Sequence, residues 1–118
     1  MQVSGRRGFL GMEHNEYREF FSTLSNVSRM AIVQMLRRRG ATVSQIAETL
    51  SFEQSRVSHS LARLQRAGIV VCRWEQKRKM FHLVDGVAPL LHEIEAYLET
   101  RPKPSRAEIA ASWQTAVV

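Results

Sequence analysis

Two helical patterns separated by only three residues set the strongest limit on how this chain folds. In the first, Thr42 stands three residues before Gln45, the spacing of a capping box, and Ile46, Ala47 and Leu50 follow on one inward face. In the second, Val57, Leu61 and Leu64 define one face of a helix over 54–67 that stops at Ala67-Gly68. Ser51, Phe52 and Glu53 are the whole connection. Two short helices joined by so brief a turn read as a helix-turn-helix.

The flanking segments extend that pair. From Glu13 to Leu24, Tyr17, Phe20, Phe21 and Leu24 recur at helical spacing with glutamates on the opposite face. Asn26 is a good N-cap for a second helix whose Met30, Val33 and Leu36 share a face. Arg37, Arg38 and Arg39 stand at its negative end and Gly40 just beyond. After Gly68 the composition shifts to β-branched and aromatic residues in Ile69–Trp74 and Met80–Val84, with Glu75–Lys79 between them. That is a hairpin with a basic tip. A last helix carries Val87, Leu90, Leu91, Ile94 and Leu98 and stops before Pro102 and Pro104.

The expected fold is therefore mainly α with a β-hairpin wing, in the order α-α-α-α-β-β-α. Its domain spans 13–100, between a loose leader at 1–12 and a mobile tail at 101–118 that lacks periodicity. Met12 is an alternative start. Arg6-Arg7 resembles a twin-arginine export signal, but the residues that follow are polar where an apolar stretch is required. No apolar run approaches the length of a membrane span. One cysteine, Cys72, allows no intrachain disulfide, and the chain reads as cytosolic.

At 118 residues, this is one small domain that exposes much of its surface, which favours pairing with a second copy. Its net charge of +6 is unevenly placed: residues 29–79 carry +8, against 0 before them and −2 after. Such a concentration suits a polyanion, and the helix over 54–67 shows which one. Opposite its apolar stripe lie Ser55, His59, Ala62 and Arg66, with Gln54 at the start and Arg56, Ser58 and Arg63 on the flanks, and no acidic side chain among them. A major groove about 12 Å wide admits one helix and is read by short hydroxyls, amides, imidazole and arginine forks. A solvated polar face is the bland reading of these residues alone. Joined to the helix-turn-helix spacing and the basic segment, they point to double-stranded DNA. Lys77, Arg78 and Lys79 at the hairpin tip, with Arg73 at the strand base, would then meet phosphates without reading sequence.

The stretch from Leu24 to Leu83 resembles the winged-helix ArsR/SmtB family of transcriptional regulators. The resemblance rests on L-S-N-V-S-R-M-A-I-V-Q-M-L, V-S-Q-I-A-E-T-L and Q-S-R-V-S-H-S-L-A-R-L-Q-R-A-G-I-V, followed by a K-x-F-x-L-like return strand. It implies a homodimer built on the first and last helices, repression by operator binding and release by an effector. Tyr17, Phe20, Phe21, Leu91, Ile94 and Leu98 would form that dimer interface, although ordinary core packing explains the same stripes. Metal-sensing relatives carry Cys-x-Cys where this chain has Ala41, Thr42, Val43 and Ser44. Of a second zinc pattern Asp85 is present, but Val87, Leu98 and Arg101 fill the other places. The wing also lacks the usual tip glycine.

No cofactor or metal is expected. His92 and Glu95 share a helical face and could join His14, His82 and Asp85 across a dimer, but solvated side chains are the favoured reading. Cys72, in an apolar strand, reads as a buried thiol rather than a redox sensor. An enzyme is not expected: Ser58 and His59 are adjacent on a helix and point about 100° apart, so they form no dyad. The reading is a sequence-specific homodimeric repressor on a palindromic operator. An effector-independent architectural or antitoxin-like DNA-binding protein, or a winged helix used for protein interaction, are the alternatives.

Overall fold

The computed structural model describes residues 14–117. The expected leader at 1–12, with Met12, lies outside them, as does the side chain of His14. The elements are α1 (His14–Leu24), α2 (Val27–Leu36), α3 (Val43–Leu50), α4 (Gln54–Arg66), β1 (Val70–Glu75), β2 (Arg78–Leu83), α5 (Val87–Thr100) and α6 (Arg106–Val117). They divide into two compact units, one ending at Ala88 and the other starting at Pro89.

The first unit is held by a core with a clear centre. Ile32, Val33, Ile46, Val57, Leu61, Leu64 and Ile69 are fully buried. Each contributes about 1.5 to 3 kcal/mol by leaving water. Met30, Val33 and Leu36 are the stripe that spacing selects, yet Ile32 is more buried than Met30. The reason is position: α2 packs against α1, α3, α4 and β2, so more than one of its faces is covered.

Local chemistry fixes the helix ends. The Asn26 side chain accepts a hydrogen bond from the Arg29 N–H at 3.0 Å, and Thr42 and Gln45 form the reciprocal capping box. Ser51 adopts the left-handed region at φ 57°, which turns the chain sharply enough for Phe52 and Glu53 to complete the link. At the end of α2 the structure differs from expectation. The helix closes at Leu36, with Arg37 as C-cap, so Arg38 and Arg39 follow it rather than filling its last turn. Gly40 has another purpose: a Cβ there would collide with the His82 imidazole.

The hairpin pairs β1 with β2 antiparallel, from Val70 opposite Leu83 to Glu75 opposite Arg78. Its base is anchored by a bridge in which Ala41 and Phe81 exchange both backbone hydrogen bonds, at 3.0 and 2.8 Å. The expected five-residue tip contracts to two residues, Gln76 at φ 51° and Lys77 at φ 65°. Positive φ at both central positions is the arrangement that follows strand twist, normally filled by Asn-Gly. Replacing Gln76-Lys77 with Asn-Gly is therefore expected to stabilise the protein by about 1 kcal/mol, by removing left-handed strain from side-chain-bearing residues. Thermal denaturation of the free protein checks this. A melting temperature that stays level or falls contradicts the strained turn.

In the second unit, α5 ends two residues before Pro102, as its sequence requires. Where weak periodicity suggests a tail, Arg106–Val117 form α6. The Ser105 N–H donates to Glu108 Oε1 at 2.6 Å, and the Glu108 N–H donates to Ser105 Oγ at 3.1 Å. Hydrogen bonds to the carboxyl from the Ser105 N–H and then from the Ser105 side chain hold Glu108 below its ordinary pKa. No helix among the described residues is long and apolar enough to cross a membrane.

Candidate nucleic-acid interface

The two faces of α4 separate as its 3.6-residue period dictates. Val57, Ser60, Leu61 and Leu64 are buried, whereas Gln54, Ser55, Ser58, His59, Ala62 and Arg66 are exposed and Arg63 is half-buried. The outward surface is thus polar, basic and free of carboxylates along the whole helix. Ala62 lies at the middle of that face, where a small side chain permits close approach by a rigid partner.

Two of the expected contact residues also hold the motif together. Gln54 donates from Nε2 to Ser44 Oγ at 3.2 Å, linking the starts of α4 and α3. Arg56 lies over the Phe52 ring, 3.9 Å from its centroid, and its guanidinium donates to Ser28 Oγ on α2. That guanidinium ties α4 to α2 and to the turn before α4, and is engaged before any ligand arrives. Beside it, Arg29 donates to the Thr23 carbonyl at 2.8 Å. Burial, and then the Arg63 guanidinium, lower the pKa of Arg29.

The hairpin presents Arg73, Lys77, Arg78 and Lys79 to solvent. The one acidic side chain near its tip, Glu75, is 2.9 Å from His82 Nε2, on the hairpin face that also carries Arg73 and Arg78. An open cleft of about 430 Å³ separates the tip from the start of α3 and is lined by Thr42, Val43, Ser44, Arg78 and Lys79. Sequence reasoning did not connect these segments. The Ala41–Phe81 bridge brings them together, and no short-range pattern announces such a bridge. Trp74, a strand residue by its sequence pattern, is 70% exposed.

Other expected residues are distributed as follows. Tyr17 and Phe21 on α1 are about half exposed, with ring centroids 5.1 Å apart, and Phe20 lies 5.2 Å from Phe21. On α5, Leu98 is exposed and Ile94 half-buried. Leu91 departs from expectation: at 4% exposure it has almost no surface left to offer a second copy. Cys72 is half-buried in β1 rather than enclosed. His92 is exposed, and no group of three or more metal-ligating side chains occurs among the described residues.

A three-helix core, a helix-turn-helix with a clear outward face and a basic antiparallel wing define a winged helix-turn-helix domain. Residues 26–71 match the profile of the bacterial regulatory protein arsR family. Solved structures agree on the fold. HlyU from Vibrio cholerae N16961 is 28% identical, with a TM-score of 0.59 over 72% of this chain and 99% of that one. The homodimeric winged helix-turn-helix DNA-binding domain of Mb0332 from Mycobacterium bovis is 22% identical, with a TM-score of 0.67 over 72% and 80%. The transcriptional repressor BigR from Xylella fastidiosa is 24% identical, with a TM-score of 0.62 over 77% and 91%. A search of curated protein sequences returned no significant match.

Proposed function

We propose that the protein is a homodimeric repressor that binds a palindromic operator through α4 and the wing. The observation that carries this reading is the unbroken exposed face of α4, in which Ser55, Ser58, His59 and Arg66 surround Ala62 without a single carboxylate. These side chains supply hydroxyl, imidazole and guanidinium groups, the kinds that distinguish base pairs in a major groove. Gln54 and Arg56 set the angle of the helix, while Arg63, Arg73, Lys77, Arg78 and Lys79 supply charge for phosphates. Tyr17 and Phe21 on α1 and, in the other unit, Leu98 on α5 are each exposed and so each offers apolar surface to a second copy. The homodimeric Mb0332 domain and the BigR repressor support the same assembly and role.

Two symmetric copies would place two α4 helices in successive major grooves, so bound sequences should repeat inverted at a spacing of about one helical turn. Selection of bound duplexes from a random pool tests this directly. A palindromic consensus is expected. Enrichment without any consensus would favour an architectural role, and no enrichment would favour a protein partner for the basic face. A second expectation concerns the tip. Lys77→Ala and Arg78→Ala should each weaken binding to all duplexes alike and lower the slope of log affinity against log salt by about one. Titrations at several salt concentrations measure it, and an unchanged slope removes the wing from the interface.

A further inference from the structure

Trp74 is the residue of the first unit that the arrangement above leaves without a use. It is 70% exposed on β1, an expensive position for the largest apolar side chain, and it lies directly across the ladder from Lys79. Strand alternation separates the hairpin into two faces. One carries Trp74 and Lys79 and continues through Cys72 and Phe81 towards the core; the other carries Arg73, Glu75, Arg78 and His82. Glu75 is drawn to His82 on that second face. The indole thus shares its face with Lys79 and lies next to the turn residue Lys77, while Arg73 and Arg78 are on the opposite face with Glu75, whose carboxylate is paired with His82. An exposed aromatic ring beside Lys79, at the end of a two-stranded projection whose other face and tip are also basic, matches a polyanion that also offers apolar surface, and the deoxyribose edges of a duplex groove do so between phosphates.

We propose that Trp74 is a sequence-independent contact of the wing with duplex DNA, its indole packing on the sugar wall of the groove while the neighbouring cations hold the flanking phosphates. This rests on the DNA-binding reading above and adds an apolar component to it. Charge and ring contribute in distinguishable ways. A cation that meets a phosphate releases counterions and steepens the salt dependence, whereas a ring on a sugar adds affinity that salt leaves unchanged.

Trp113 is the other tryptophan of the chain, so Trp113→Phe makes Trp74 the single indole reporter. In that protein, titration with a random-sequence duplex of a few helical turns should quench and shift the emission saturably. Trp74→Ala should lower affinity for the same duplex by about 10-fold, the order of one aromatic contact, with the salt slope unchanged; Trp74→Phe should retain most of the affinity. Lys79→Ala should instead lower the slope by about one. Full affinity in Trp74→Ala, or a slope that falls with it, overturns the proposal, provided that its melting temperature matches the parent's. An emission shift that follows protein concentration without duplex would assign the ring to self-association and also overturn it. If the parent protein binds no duplex at all, the failure belongs to the DNA-binding reading itself.

Discussion

His59→Ala lowers affinity for the selected operator by about 1 to 3 kcal/mol and leaves binding to random duplexes nearly unchanged. Ser58→Ala does the same to a smaller extent. The expectation follows from where these side chains stand. Both are exposed on the second turn of α4, one turn beyond Gln54, and neither makes a hydrogen bond that holds the fold together. Their loss therefore removes base contacts without disturbing the domain. Arg56→Ala should behave differently, because its guanidinium rests on Phe52 and Ser28. Parallel titrations with operator and random duplex separate the cases. Equal loss on both duplexes in His59→Ala would show that α4 does not read bases.

The second large effect concerns stability. Leu64→Ala should cost about 2 to 5 kcal/mol, because a fully buried side chain is truncated inside a packed core and leaves a cavity. That is a large share of the roughly 5 to 15 kcal/mol that holds a domain of this kind together. Urea denaturation should show a lower midpoint at constant slope. Ala62 provides the contrast: two residues away on the same helix but exposed, it should accept Ser at a cost of a few tenths of a kcal/mol. A small loss at Leu64 would mean that α4 is not seated on the core through Val57, Leu61 and Leu64.

The two proposed roles of the wing complement this division of labour. In the proposed complex the face of α4 would select a sequence by hydrogen bonding, while the tip would add charge and the exposed indole apolar surface, neither of which depends on base identity. The tight Gln76–Lys77 turn and the Ala41–Phe81 bridge keep that tip at a fixed distance from α3. An Asn-Gly turn would therefore stabilise the hairpin while removing one phosphate contact, so stability and affinity should move in opposite directions.

Much of the architecture was legible in the chain because it depends on neighbours in sequence. Asn26 caps α2, Thr42 and Gln45 box the start of α3, and the period of Val57, Leu61 and Leu64 orients α4; each operates over three or four residues. The start of α6 was written in the same code, as Ser105 and Glu108, but weak periodicity beyond it concealed the helix. Other features had no local signature. The burial of Ile32 comes from α2 being surrounded, the close approach to Gly40 comes from the His82 ring of a distant strand, and the engagement of Arg56 comes from Ser28 on another helix. The chain by itself determined which segments become helices and strands and which face of α4 is polar, since hydrogen bonding and side-chain period act at short range. Only the tertiary structure decided which charges gather beside that face, because packing joins residues that the sequence keeps far apart.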